Sequence, residues 1–159
     1  MKKLFFIAVV TSLICFFGCG KQVSDNVGCT NRPPFSDSSV LLKYAADSSI
    51  HPTMDSSGIF YQIIDSGSSK KPVFSSNITV NYIGRFMSGA VFDSASNSNL
   101  NGATLNGLIT GWQIGLPKIG VGGRIKLLIP SALAWGCTGY GPVPHDAPVY
   151  FDVKLLQVY

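Results

Sequence analysis

The segment from Asn106 to Gly115 constrains the fold most strongly, because it places a tryptophan between glycines and aliphatic residues. Ile109, Trp112, Leu116 and Ile119 recur at nearly helical spacing, so a short helix is predicted here. The segments on either side have the composition of strands. A short helix that carries one large aromatic ring must bury that ring against a sheet. Trp112 is therefore predicted to be either the centre of the core or the floor of a pocket.

The N-terminal residues have the features of an export signal. A lysine pair precedes an apolar run that is too short to span a membrane, and the run ends in Gly18-Cys19. A small residue before a cysteine resembles a bacterial lipoprotein cleavage box, which predicts a signal peptide over residues 1–18 and acylation of Cys19. The alternative is an ordinary secretory signal. With acylation, the protein is expected to be lipid-anchored in the bacterial cell envelope, at the outer membrane and facing the periplasm.

The rest of the chain divides into three parts by composition. Residues 19–36 are polar and rich in glycine, serine and proline, and are predicted to be a flexible tether. Residues 37–56 are predicted to form a short helix, which Asp37 can cap, and a connector. Residues 57–159 carry the strand signals and the central helix, and are expected to be the folded domain.

Two cysteines, Cys29 and Cys137, lie beyond the predicted lipidation site. An even pair in an exported protein permits a disulfide between the tether and the domain. Two free, partly buried thiols are the alternative, because the sequence cannot show whether the two Cα atoms lie at a distance compatible with bonding.

Alternating apolar residues and turn signals predict an α+β domain with about five antiparallel strands. The sheet is expected to curl over the one short central helix and to have one solvated face. The polar run from Ser94 to Gly102 is interpreted as a loop. Strands are predicted at residues 58–64, 77–87, 91–93, 124–129 and 149–158.

Several function classes find no support in the residues. The chain has 12 basic and 8 acidic residues, with no basic cluster that would follow a nucleic acid backbone. His51 and His145 stand in polar loops without the spacing of metal ligands, so no metal site is predicted. There is no glutamate, no phosphate-binding glycine loop and no Gly-x-Ser-x-Gly motif. Asp93 is the acidic residue embedded in apolar sequence, although a loop-capping aspartate is the commoner role.

A series of motifs over residues 57–159 resembles the FKBP-type peptidyl-prolyl cis-trans isomerases. Order and spacing agree over the whole region, which makes the match more specific than any single motif. The resemblance implies a curled antiparallel sheet wrapped on one short helix. The motifs are V-N-Y-I-G at 80–84, S-G at 88–89, F-D-S at 92–94, L-I-x-G-W at 108–112, G-x-G-G-R at 120–124, I-P at 129–130, L-A-W-G at 133–136, P at 144 and F-D-V-x-L-L at 151–156.

The resemblance also implies a function, namely rotation about Xaa–Pro peptide bonds in unfolded or folding polypeptides, without cofactor or metal. By position, Trp112 matches the pocket floor, and Tyr82 and Asp93 match its polar rim. These are the expected catalytic residues, in a protein expected to be a monomer. The substrate-binding positions implied by the resemblance are Phe92, Leu108, Ile109, Trp135, Tyr140, Val143 and Phe151.

The chain departs from the family pattern at the rim of this expected pocket. The family usually has a tyrosine where Trp135 stands, and an indole N–H donates from a different height than a phenol. Ala103 lies near the place of an expected wall aromatic, and Tyr140 supplies an aromatic further on. A catalytically weak or inactive chaperone or peptide-binding lipoprotein is therefore the alternative function. A structural lipoprotein with Trp112 as plain core is the third.

Overall fold

The computed structural model describes residues 28–159, so the predicted signal peptide and the lipidation of Cys19 lie outside the described residues. Over residues 28–159, the fold consists of two α-helices and six strands, with short 3-10 turns between them. The elements are α1 Ser38–Asp47, β1 Thr53–Met54, β2 Phe60–Asp65, β3 Ile78–Phe86, β4 Val91–Ser98, α2 Thr110–Gly115, β5 Arg124–Ile129 and β6 Val149–Val158.

The strands form one antiparallel sheet in the order β1-β2-β5-β6-β3-β4. The α+β class and the sheet wrapped on a short helix are confirmed. The sheet has six strands, where about five are predicted from the pattern, because the two-residue β1 adds an edge strand beside β2. The long central pair is β3 and β6, whose register runs from Ile78 opposite Val158 to Phe86 opposite Val149.

The prediction of a loop from Ser94 to Gly102 is wrong, because β4 continues to Ser98. Its backbone pairs with β3, with Val80 opposite Ser98 and Tyr82 opposite Ala95. An edge strand with mostly exposed side chains needs no apolar alternation. Polar residues that are typical of a loop therefore form a paired edge strand here.

The main core lies between α2 and the sheet face that it covers. Trp112 is 4% exposed, and Leu116 and Ile119 are fully buried beneath it. Glycines bring the helix close to β5, since a Cβ added at Gly111 would lie 2.5 Å from Ile129 and one at Gly115 would lie 2.5 Å from Leu127. This close approach fixes the height of the tryptophan above the sheet.

The opposite face of the sheet carries α1. Leu41, Tyr44 and Ala45 are buried against neighbouring strand residues, among them Phe60 and Tyr150. The helix predicted after residue 37 is thus present as Ser38–Asp47, and it closes a second, smaller apolar cluster. Within residues 28–159, no helix has the length and hydropathy that a membrane span requires.

Candidate active site

The floor of the site is the indole ring of Trp112, in the first turn of α2. Two other rings meet it edge-on, with centroid distances of 5.3 Å to Tyr82 and 5.2 Å to Phe151. Edge-to-face contacts of this kind are the favoured arrangement of aromatic pairs. The buried indole N–H has no hydrogen-bond acceptor within residues 28–159. Packing, rather than a hydrogen bond, therefore holds the ring in place.

Above this floor lies a mainly apolar cavity of about 120 Å³. Sites for drug-sized ligands have volumes of roughly 300–1,000 Å³, so this one suits a group as small as a proline ring. Most of the residues predicted for the site are brought together here. The lining consists of Tyr82, Asp93, Leu100, Leu108, Ile109, Trp112, Trp135 and Phe151.

The polar side of the cavity is a hydrogen bond between neighbouring strands. The Tyr82 hydroxyl donates to Asp93 Oδ2 at 2.7 Å. Burial raises the pKa of Tyr82 well above its usual range, and the hydrogen bond to Asp93 raises it further. The phenol therefore stays protonated and neutral, and it holds the carboxylate at the edge of the cavity. This pair can orient a bound carbonyl or shape the rim, but nothing in it prepares a nucleophile.

Leu100 is the lining residue that the sequence did not predict. It lies just after β4 in a short 3-10 turn, with a φ of +53°. Its side chain lines the cavity, whereas Ala103, which lies near the place of the expected wall aromatic, does not. The signal that would have identified it is its position as the single large apolar residue between residues 94 and 102.

Three predicted substrate-binding residues lie outside the lining of the cavity. Phe92 packs edge-on against Trp135 and Phe151, at 6.0 Å and 5.5 Å between ring centroids. Val143 is buried in the core. Tyr140 stacks on Trp135 at 6.0 Å and is 69% exposed. Phe92 and Tyr140 contact Trp135 directly and so support the wall of the cavity, whereas Val143 belongs to the core.

A second and wider groove, of about 500 Å³, is lined mainly by residues of the sheet that α1 leaves uncovered, so the face expected to be solvated is so only in part. It contains the ion pair between Arg124 and Asp152, whose nitrogen and oxygen are 2.7 Å apart, together with Lys154. This groove lacks the apolar enclosure that a proline ring requires. Despite its larger volume, it is therefore the poorer candidate for the active site.

Comparisons with known proteins agree with this geometry. The family described as FKBP-type peptidyl-prolyl cis-trans isomerase matches residues 68–156. FkpA of Escherichia coli K12, an FKBP-type isomerase, is 40% identical over 107 residues, which are 65% of this chain and 38% of that protein. The counterpart in Aeromonas hydrophila is 38% identical over 104 residues, 64% of this chain and 38% of that protein. The chain thus spans 38% of the length of these relatives.

The fold comparison gives the same result. The crystal structure of Escherichia coli FkpA superposes with a TM-score of 0.65 at 34% identity, over 77% of this chain and 59% of that one. The matched region contains every residue that lines the cavity. The chain therefore belongs to the FKBP-type peptidyl-prolyl cis-trans isomerase family.

Proposed function

We propose that the protein is a peptidyl-prolyl cis-trans isomerase that accelerates rotation about Xaa–Pro bonds in exported polypeptides. The observation that carries the proposal is the apolar cavity of about 120 Å³ with Trp112 as its floor and the Tyr82–Asp93 hydrogen bond at its rim. Family membership supports the same reaction. Within residues 28–159, no group of three acidic, histidine or cysteine side chains could hold a metal ion.

The reaction breaks no covalent bond, so its barrier can be lowered by environment alone. The barrier to rotation is about 18–20 kcal/mol, and the uncatalysed change takes tens to hundreds of seconds. Twisting the amide removes its resonance and weakens the carbonyl dipole. An apolar cavity therefore disfavours the planar, polar ground state more than the twisted state, which amounts to preferential binding of the transition state.

Each lining group has a role in this scheme. The Trp112 face receives the proline ring, and Leu100, Leu108, Ile109 and Phe151 exclude water around it. Tyr82 and Asp93 orient the peptide at the polar edge, and they transfer no proton. Trp135 closes the rim, where its indole N–H is the donor available to a substrate carbonyl.

The direct test is a coupled isomerisation assay with short Xaa–Pro peptides. Wild-type protein should accelerate the cis-to-trans relaxation, Trp112→Ala should abolish the effect, and Asp93→Ala should reduce it. Lys43→Ala is a matched control, because it removes only an exposed ion pair within α1. An uncatalysed rate with correctly folded wild-type protein would contradict the proposal.

A second candidate function is peptide binding with little or no catalysis, as in a chaperone. The stacked pair of Trp135 and Tyr140 favours it, since this pair extends the aromatic surface beyond the cavity. In such a protein, the Trp112→Ala variant should still suppress the aggregation of an unfolded client protein. Loss of both suppression and isomerisation in that variant would favour the enzyme.

We further propose that the protein is a lipoprotein, acylated at Cys19 after removal of residues 1–18, and that it faces the periplasm from the outer membrane. The Gly18-Cys19 junction supports this, and the disulfide between Cys29 and Cys137 fits an oxidising compartment. Labelling with a radioactive fatty acid should be lost in Cys19→Ser, and membrane fractionation should locate the labelled protein. Because one chain supplies the whole cavity, we propose a monomer, which light scattering would test.

A further inference from the structure

The loop from Ser131 to Asp146 lies between β5 and β6 and carries Trp135 to the rim of the cavity. The segment 29–37, which precedes α1, is held against this loop at the loop's beginning, middle and end. Within the described residues, the hydrogen bonds and the ion pair that join the side chains of this segment to residues beyond α1 all go to this loop.

The beginning of the loop is held by a buried carboxylate. Asp37 is 4% exposed, and its Oδ2 accepts hydrogen bonds from the backbone N–H of Ser131 at 2.8 Å and from the Ser131 hydroxyl at 2.7 Å. Asp37 stands at the N-cap position of α1 but makes no capping hydrogen bond there. Its side chain is thus committed to the loop, 94 positions away.

The middle of the loop is held covalently. Cys29 forms a disulfide with Cys137, with the Cα atoms 5.6 Å apart. The Cys137 backbone N–H also donates to Asn31 Oδ1 at 2.9 Å. Gly136, with a φ of +58°, lies so close to Asn31 that an added Cβ would clash with the amide oxygen. These contacts fall on the two residues that directly follow Trp135.

The end of the loop is held by a guanidinium group. Arg32 Nη2 donates to the backbone carbonyl of Asp146 at 2.8 Å and lies 3.3 Å from Asp37 Oδ1, and Arg32 Nε lies 3.7 Å from Asp146 Oδ1. The Asp146 backbone N–H in turn donates to the carbonyl of Gly136 at 2.8 Å. Arg32 therefore links the two ends of the loop to the same segment.

Apart from these anchors, the loop is fixed by apolar contacts with the core, through the buried Val143 and the partly buried Leu133 and Ala134. Trp135 is only partly buried, and its ring meets Phe92 at 6.0 Å and Phe151 at 6.4 Å between centroids. The remaining contacts near it are turns within the loop, such as the hydrogen bond from the Thr138 hydroxyl to the Trp135 carbonyl at 2.9 Å. The height of Trp135 above the floor therefore depends on how the loop is anchored.

We propose that residues 29–37 are a positioning element of the active site, in which the Cys29–Cys137 disulfide and the Asp37–Ser131 contact hold Trp135 at the rim for substrate binding. This inference rests on the proposed function, since it assigns these residues a role in binding the proline-containing peptide. None of residues 29–37 lines the cavity, so they act through Trp135. They also lie outside residues 68–156, which match the isomerase family.

The test uses the 159-residue chain in four forms, which are the oxidised wild type, Cys29→Ser with Cys137→Ser, Asp37→Ala and Asp37→Asn. If freeing the loop leaves the rim correctly placed in only a fifth of the molecules, the half-saturating peptide concentration should rise about fivefold, because apparent affinity scales with the competent fraction. The kcat of bound peptide should change little. Asp37→Asn keeps an acceptor for Ser131 and should recover most of the affinity lost in Asp37→Ala.

Three further measurements separate positioning from stability. Leu41→Ala lowers the melting temperature through the apolar cluster on the other face of the sheet, and it should leave the half-saturating concentration unchanged. In a Trp112→Phe background, the emission of Trp135 should shift when the disulfide is removed. Dithiothreitol, which becomes a cyclic disulfide as Cys29 and Cys137 become thiols, should reproduce the effect in wild type and have none in the double serine variant.

The outcomes are distinct. Unchanged peptide affinity and unchanged Trp135 emission without the disulfide, measured well below the melting temperatures, would overturn the inference. So would an equal loss of affinity in Leu41→Ala. If the oxidised wild type fails to accelerate isomerisation, the proposed function fails. In that case a changed Trp135 emission together with weaker peptide binding would still support the positioning role, and unchanged values would refute it.

Discussion

The floor and the rim of the cavity are held in different ways. The floor is α2 with Trp112, which packs against β5 through two glycines and lies close to it along the chain. The rim is the loop 131–146 with Trp135, which is anchored by residues about 100 positions earlier, through a disulfide and buried polar contacts.

Because of this difference, the floor and the rim should differ in how far they tolerate changes in sequence. The close packing of α2 leaves no room to move, because a change of even one methyl group is felt in a dense core. The anchors of the rim lie in segment 29–37, which is outside residues 68–156 matched by the family. The sequence before the domain can therefore change the rim while the floor stays the same.

The largest effect is expected from Gly115→Ala, which adds a methyl group where α2 packs against β5. The new Cβ would lie 2.5 Å and 2.8 Å from the two methyl carbons of Leu127, which is fully buried and cannot move aside. We expect a loss of about 1–3 kcal/mol in the free energy of unfolding from this overpacking. The helix propensity of alanine would by itself raise the free energy of unfolding by up to about 1 kcal/mol. A lower stability of the variant would therefore indicate overpacking.

Urea unfolding measures this effect, and Gly107→Ala is the matched control. No atom lies within 4 Å of a Cβ placed at Gly107, and its φ is not in the left-handed region. That variant should be as stable as wild type or slightly more stable. Equal stability of the two alanine variants would show that α2 can move away from β5, and the contrast between floor and rim would then be lost.

Asp93 lies at the polar edge of the cavity, and its replacement should have the next largest effect. Asp93→Ala leaves the hydroxyl of Tyr82 without its acceptor, and we expect about a tenfold loss in kcat/KM, in line with the net value of hydrogen bonds to charged groups. Asp93→Asn keeps an acceptor oxygen and should lose less. A double-mutant cycle with Tyr82→Phe measures the coupling, and additive losses would show that the two side chains act separately.

The floor could be predicted from the sequence because its signals are local. The spacing of Ile109, Trp112, Leu116 and Ile119 predicts a helix with one buried side, and α2 with the following turn has that arrangement. The identity of the cavity rests on the resemblance, since periodicity alone cannot distinguish a core tryptophan from a pocket floor. Only the structure shows the edge-on contacts of Trp112 with Tyr82 and Phe151.

The rim could not be predicted because none of its signals is local. Asp37 has the residue type and the position of a helix cap, yet its carboxylate binds Ser131. Tyr140 matches a substrate-binding position but stacks on the outer side of Trp135. Leu100 lies in a polar run interpreted as a loop and reaches the cavity because β4 extends to Ser98. For Asp37 and Leu100, pairing with a distant segment decides the role of the side chain, and for Tyr140 the conformation of the loop decides it.

Trp135→Tyr tests the chemistry of the rim without disturbing its anchors. A tyrosine can keep the stacking on Tyr140, and its hydroxyl can reach a substrate carbonyl, as is usual in the family. We expect kcat/KM to rise about threefold, the lower part of the range for one neutral hydrogen bond, with unchanged stability. Trp135→Phe is the control that lacks the hydroxyl. If both variants have the same kcat/KM, the hydroxyl contributes nothing and shape alone matters at the rim.

The smallest effect is expected when acid neutralises a carboxylate next to α2. Lys118, in the turn after α2, donates to Asp55 Oδ2 at 2.7 Å and lies 4.6 Å from the ring centroid of Tyr61. Hydrogen bonds from the Lys118 ammonium and from the Ser57 backbone lower the pKa of Asp55 from 3.8 to about 2. The folded state thus favours the ionised carboxylate, whose stabilising effect is complete above pH 3.8 and is lost as the pH falls towards 2.

Urea unfolding at pH 7, 4 and 2.5 of wild type and Asp55→Asn isolates this contribution. Both side chains are about one-fifth exposed, so solvent screening limits the difference at pH 7 to about 0.5 kcal/mol. The difference should be smaller at pH 2.5 than at pH 7, because the carboxylate of the unfolded chain is then protonated and folding must ionise it. Asp47→Asn removes the exposed pair with Lys43 in α1 and should leave the acid dependence of the floor unchanged. A constant difference between wild type and Asp55→Asn at all three pH values would show that packing around residue 55, rather than its charge, stabilises the end of α2.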